Sequence, residues 1–299
     1  MKNVHSSASG IEEDKISRIL SFDNQRQRKS VVLEAKHLEP QKFDDLSWGE
    51  AKDRYLPLAK SGDANAAEEF FRLSMECREY FRIKKNIDNI LAMYQDGNVP
   101  ADMLNGYDEK LKVIKEKVQH AKHICMNASE ADVNNSLNEA VRLAAEQGSV
   151  EAQTCYLDGA IFGAYSAQSD EVKSTYSAEA LEIASAALRS GSWEMVDILT
   201  RAFQTTDSDA ASRGWLGEVV TPSPTVEYAL TALANKCRVV AGLPNLNSAL
   251  ANQISANKLA TEDVSEADAW ADGIYTKYYA NVPYPSANVM KFCPTIDTP

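Results

Sequence analysis

The sequence predicts an all-α fold of stacked antiparallel helical hairpins, a short α-solenoid with a helical insertion and an extended C-terminal tail. Three observations predict it. Apolar residues recur at the 3.6-residue spacing of helices through most of the chain. The segment Asn135–Ala160 reads as two short amphipathic helices joined at a glycine, and the same design recurs on both sides of it. No convincing alternation of apolar and polar residues, the mark of a half-buried strand, occurs anywhere.

In the central unit Leu137, Ala140, Val141 and Ala144 share one helical face, and after the turn Ala152, Cys155, Tyr156 and Gly159 repeat the spacing. Between them lies Ala145-x-x-Gly148-x-x-x-Ala152. Glycine takes the left-handed conformation that ends a helix without the steric penalty of a Cβ, and the flanking small residues let two helices approach closely. Ser129-x-x-Asp132 supplies an N-cap with an acid in the first turn. The spacing returns at Ala59-x-x-Gly62-x-x-x-Ala66 and, with larger apolar residues, at Leu188-x-x-Gly191-x-x-x-Met195. Gly148 and Gly191 lie 43 residues apart, and Gly62 and Gly148 lie 86 apart, twice that interval. A hairpin cannot bury its apolar face alone, so stacked copies are the natural core.

The stretches AVRLAAEQGSVEAQ and YLPLAKSGDANAAEEF resemble the Sel-one-like relatives of the tetratricopeptide repeat, in which an alanine-rich helix, a glycine and an alanine-led helix follow one another. The resemblance implies a protein-binding scaffold or adaptor that holds its ligand on the concave face of a helical array, without a cofactor.

Taken in order, residues 1–44 read as a polar tail with short helices around Glu12–Phe22 and Val31–Leu38. Trp48, Ala51, Tyr55 and Leu58 mark the first clear helix, which Pro57 should kink or divide. Its partner carries Ala66, Phe70, Leu73, Cys77 and Tyr80. An inserted hairpin, 82–126, follows: a helix around Arg82–Tyr94, a turn at Asp96-Gly97, and a helix with the stripe Tyr107, Leu111, Ile114, Val118, Ala121 and Cys125. Ala178–Ser190 and Trp193–Phe203 form the third hairpin, so 45–204 reads as one repeat domain. Residues 205–223 read as a loop or divider. Ser223-Pro224 then opens a helix with Val226, Leu230, Leu233, Cys237 and Val240 on one stripe, stopped by Gly242 and Pro244. Helices around Leu246–Leu259 and Glu266–Ala280 follow, the latter presenting Ala267, Trp270, Ile274 and Tyr278. The tail from Asn281, with Pro283, Pro285, Pro294, Tyr284 and Phe292, is expected to pack across the last repeat or to occupy a binding groove. Residues 205–299 thus pack on the array.

With 299 residues, the chain has room for one or two domains, and 44% hydrophobic with 25% charged residues is ordinary for a soluble globular protein. A net charge of −12 disfavours the phosphate backbone of nucleic acid and favours a basic protein or peptide, although acidity also serves solubility. No apolar run approaches the roughly 18 residues that a membrane span requires. The N-terminus MKNVHSSASG carries no hydrophobic segment. The chain is therefore cytoplasmic, or Met1 stands after a removed signal or anchor and the protein is periplasmic or otherwise exported.

The five cysteines bear on that choice. Cys77 and Cys125 end the stripes of two helices expected to lie side by side and are candidates for a disulfide, which requires an oxidising compartment; two buried thiols are the other reading. Cys155 and Cys237 read as small core residues, and Cys293 sits in a polar tail unsuited to a cytosolic protein. His120, His123 and Cys125 carry zinc-type ligand atoms, but no second ligand pair follows, so the group reads as a solvated basic helix end and no metal is expected. Nucleophile-elbow, metalloprotease, phosphate-loop and dinucleotide signatures are absent, and Asp268-x-x-x-Asp272-Gly273 has the wrong spacing for a calcium loop. The function read from these residues is a non-enzymatic scaffold, with Tyr55, Tyr156, Trp193 and Trp270 as candidate contact residues because aromatics dominate binding energy where exposed; a place in the core is the other reading of each. An immunity or inhibitor protein that neutralises a toxin or enzyme, and an enzyme of unrecognised type, are the rival readings.

Overall fold

A computed structural model describes residues 46–95, 112, 118–119, 121–205, 213–284 and 293. Among the described residues the chain is all-α, without a strand. The readings made for 1–44, for Tyr107, Leu111, Ile114 and His120, and for Pro285, Phe292 and Pro294 lie outside them. Helices α1 (Trp48–Lys60), α2 (Ala64–Gln95), α3 (Glu130–Glu146), α4 (Val150–Asp158), α5 (Asp170–Arg189) and α6 (Trp193–Ala202) form three hairpins. They are followed by α7 (Gly214–Val219), α8 (Pro224–Val240), α9 (Asn247–Asn257), α10 (Thr261–Ile274) and a π-helical turn, Tyr275–Tyr279. The chain divides into two compact units at Tyr156–Leu157, inside α4.

One turn closes all three hairpins. Gly62, Gly148 and Gly191 have φ of +98°, +95° and +84°. Each glycine amide donates to the carbonyl three residues back, on Ala59, Ala145 and Leu188, at 3.0, 3.2 and 3.3 Å. The next amide, on Asp63, Ser149 or Ser192, reaches five residues back, to Leu58, Ala144 or Ala187, at 3.1, 3.0 and 3.3 Å. This is the Schellman closure, which satisfies two terminal carbonyls. The same residue then caps the next helix: Asp63 Oδ1, Ser149 Oγ and Ser192 Oγ accept from the amides of Ala66, Ala152 and Met195 at 3.0, 3.2 and 3.2 Å. The motif's apolar positions flank this turn, and Ala59, Ala66, Ala145, Ala152, Leu188 and Met195 are all buried. The Gly-x-x-x-Ala spacing is therefore a stop and a start shared by two helices.

In the first unit α1 packs on α2, and α3 packs against both. Trp48, Tyr55, Phe70, Leu73, Ile124 and Val133 form the core with the Cys77–Cys125 disulfide. Ser47 and Glu50 form a capping box at the start of α1. Gln147, at the second turn, donates through Nε2 to the carbonyl of Ala59 at 2.7 Å and so ties the second hairpin to the first. Two expectations need correction. Pro57 does not divide α1, which runs unbroken across it from Trp48 to Lys60; the proline removes one amide, the one that would reach the Asp53 carbonyl, and the Ser61 amide still donates to the Pro57 carbonyl at 3.1 Å. The expected boundary between the partner helix and the insertion is absent: α2 runs unbroken for 32 residues, with no glycine or proline before Asp96 to stop it.

In the second unit α8 is the central element. Every residue from Val226 to Leu233 is buried, and α6, α9, α10 and the π turn all pack on it. The polar side chains of this stretch, Glu227 and Thr231, must therefore find their hydrogen bonds inside the protein. Val240, expected on the buried stripe, is 70% exposed because α8 has run past its neighbours. The divider 205–223 contains α7, whose Trp215 is core. The Trp215 ring sits among Phe162, Tyr165 and Tyr176, and its Nε1 donates to the Gly163 carbonyl at 2.9 Å. A Cβ on Gly159 would overlap that ring. At the C-terminal end the π turn inserts a residue and re-aims the buried stripe through Ala267, Ala271 and Tyr279.

Candidate functional site

Three of the four candidate contact aromatics are core residues, the second of the two readings that the sequence left open. Tyr55, Tyr156 and Trp193 are 3%, 2% and 4% exposed. Their positions on apolar stripes turn them inward, where an aromatic buries most area. Trp193 is covered by Tyr279 and Tyr284, with ring centroids at 4.2 and 5.1 Å. Tyr279 Oη donates to the Ser192 carbonyl at 3.0 Å. Burial, with Cys237 and Glu194 nearby, pushes the Tyr279 hydroxyl far above the ordinary tyrosine range. The described start of the tail thus packs back on the third hairpin. Trp270 alone remains half-buried, on α10.

On α10 the acids divide into two sets. Asp268 accepts from Tyr228 Oη at 3.3 Å and Asp272 pairs with Lys236, so this side is fastened to α8. Glu262, Asp263 and Glu266 are exposed. In a helix at 100° per residue, Asp263, Glu266 and Trp270 fall on one side, at i, i+3 and i+7.

The densest polar cluster lies under α9. Glu227, on α8, is 5% exposed. Its carboxylate accepts from the amide and hydroxyl of Thr205, both at 3.1 Å, and from Gln253 Nε2 at 3.1 Å. Gln253 Nε2 also donates to Thr231 Oγ1 at 3.1 Å, and Thr231 donates to the Glu227 carbonyl at 2.8 Å. The Thr205 hydroxyl lies 3.1 Å from Asn257 Oδ1 as well. A hydroxyl has one proton for two acceptors. The network closes when that proton goes to Glu227 and the Asn257 amide turns its nitrogen toward Thr205. The buried carboxylate is thus held by neutral donors, and the hydrogen bonds fasten α9 and the end of the third hairpin to α8.

The metal reading is closed at its cysteine, because Cys125 is bonded to Cys77 and offers no thiolate. No group of side chains among the described residues could hold a metal ion. Cys155, expected as a small core thiol, is a half-cystine, as is Cys293. The cysteines thus form two disulfide-distance pairs. Cys237 is free and buried, and desolvation pushes its thiol up to about 12. No helix among the described residues is long and apolar enough to cross a membrane.

Compared with models of known families, with curated proteins and with solved structures, the chain matches none.

Two features of the clusters escaped the sequence reading. Trp215 lies between Gly214 and Gly217, which reads as loop composition. Glu227 and Thr231, four apart on α8, both meet Gln253, and Asn257, four residues further along α9, meets Thr205; polar pairs at helical spacing in successive helices are the signal that points to a buried network.

Proposed function

We propose that the protein is a non-enzymatic scaffold of the Sel-one-like and tetratricopeptide-like kind, which binds a protein or peptide on its helical surface. The observation that carries this reading is the common turn of the three hairpins, with its shared glycine, cap and buried apolar residues. Hairpins that stack into an array offer extended surfaces for helices or extended peptides. The net charge of −12 and the exposed acids of α10 favour a basic partner. The two cysteine pairs favour work in an oxidising compartment, hence export.

The test is cross-linking in the native source, followed by reconstitution of each captured protein with the purified chain and calorimetry at two salt concentrations. The expected result is a basic partner bound at about micromolar affinity or tighter and weakened by salt. Failure of every purified candidate to bind ends the reading. Stoichiometric binding that also abolishes a partner's toxic or enzymatic activity moves the assignment to an immunity protein.

A further inference from the structure

Helix α9 differs from every neighbour in how it is held. It has 11 residues and no buried side chain, whereas α6, with 10 residues, buries six. It lacks a side-chain N-cap, an acid in its first turn and a base in its last. It ends on Lys258 at φ +52°, where a residue with a Cβ is disfavoured. Isolated helices of this length are marginal in water, so α9 has little helical stability of its own. Leu250 and Ile254 are half-buried, and the remaining links are polar. Gln253 reaches Glu227 and Thr231, Asn257 meets Thr205, and Asn247 Oδ1 accepts from Asn235 Nδ2 at 3.0 Å. The amide of Leu246 donates to Asn235 Oδ1 at 2.6 Å just ahead of the helix.

We propose that α9 is a detachable cover of α8, which opens as one unit by unfolding between hinges at Gly242 and Lys258 and is latched shut by the buried carboxylate of Glu227. The hinges are suited to this. Gly242, at φ +70°, has open space around it, and Lys258 already occupies a conformation that its backbone leaves readily. Opening uncovers the half-buried Leu250 and Ile254 and the side of α8 beneath them, a small part of the core, so its free energy lies below that of global unfolding. It bares the Glu227 carboxylate and the Thr231 hydroxyl, a polar face on the central helix that is hidden at rest. The inference stands independently of the scaffold reading.

Native-state hydrogen exchange of the full chain, read by mass spectrometry across low urea concentrations, tests it. Amides of 248–257 are expected to exchange at least about a hundredfold faster than those of α8, with a shallow urea dependence. Gln253→Ala removes the latch contacts of α9 and is expected to speed α9 exchange about tenfold further, while α8 is unchanged. Equal protection and equal urea slopes in the two helices overturn the proposal. So does a Gln253→Ala variant in which α9 exchanges at the wild-type rate.

Discussion

Gly191 and Gly242 form a matched pair for testing the turn. Both end helices of the second unit in left-handed conformations, at φ +84° and +70°. Both close a Schellman pair of hydrogen bonds, since the amides of Gly242 and Leu243 reach Val239 and Arg238 at 3.1 and 2.8 Å. They differ in surroundings. A Cβ on Gly242 meets nothing within 4 Å, whereas one on Gly191 lies 2.9 Å from both the Tyr278 carbonyl oxygen and Val282 Cγ2. Gly242→Ala therefore carries only the conformational penalty, about 1–2 kcal/mol. Gly191→Ala carries that penalty and an overpacking cost of about 1–3 kcal/mol, because a backbone carbonyl beside the π turn must move, for a total of about 2–5 kcal/mol. Urea unfolding followed by circular dichroism, with both variants read on the same transition, measures the difference. Equal losses would show that the C-terminal segment does not press on the third turn. No loss in either variant would remove the left-handed assignment itself.

The remaining predictions concern the cysteines and the α9 cap. Thiol counting should find Cys237 unreactive in the native protein, one thiol on denaturation and five after reduction; a second thiol before reduction contradicts the cysteine pairing. Because its folded pKa is raised to about 12, Cys237 contributes stability that is present below the ordinary thiol pKa of 9.0 and lost as pH rises toward about 12. Alkaline unfolding should therefore be less steep over that window in Cys237→Ala than in the wild type. Replacing Cys77 and Cys125 by alanine opens a 48-residue link, and chain entropy gives a loss of about 4 kcal/mol in the first unit. A shift below about 1 kcal/mol in denaturant midpoint analysis would mean that the unfolded chain is already constrained. Lys258→Gly relieves the left-handed cap and should stabilise α9 by about 0.5–1 kcal/mol, seen as slower exchange of its amides; unchanged exchange would place the strain elsewhere.

The hairpin turns were legible because every determinant is local. A glycine, the Asp or Ser after it and the small residues three before and four after lie within one eight-residue window. The caps at Ser129 and Ser223 were legible for the same reason. The continuity of α2 was less so, because the change of composition near Arg82 marks a change of surroundings and not of backbone. The exposure of Tyr55, Tyr156 and Trp193 was not legible at all. An aromatic on an apolar stripe has the same sequence signature whether it meets another helix or a partner.

By itself, then, the sequence determined the all-α class, the position and handedness of the three hairpin turns, and the pairing of Cys77 with Cys125 as a candidate. These follow from φ preferences, capping and helical periodicity, which act over a few residues. The tertiary structure alone decided that residues 226–233 of α8 are buried on every side, that Trp215 fills the space left at Gly159, and that Glu227 joins Thr205 and Gln253 across 22 and 26 residues of chain. Burial depends on what lies across from a residue, and close packing joins groups that no local preference brings together.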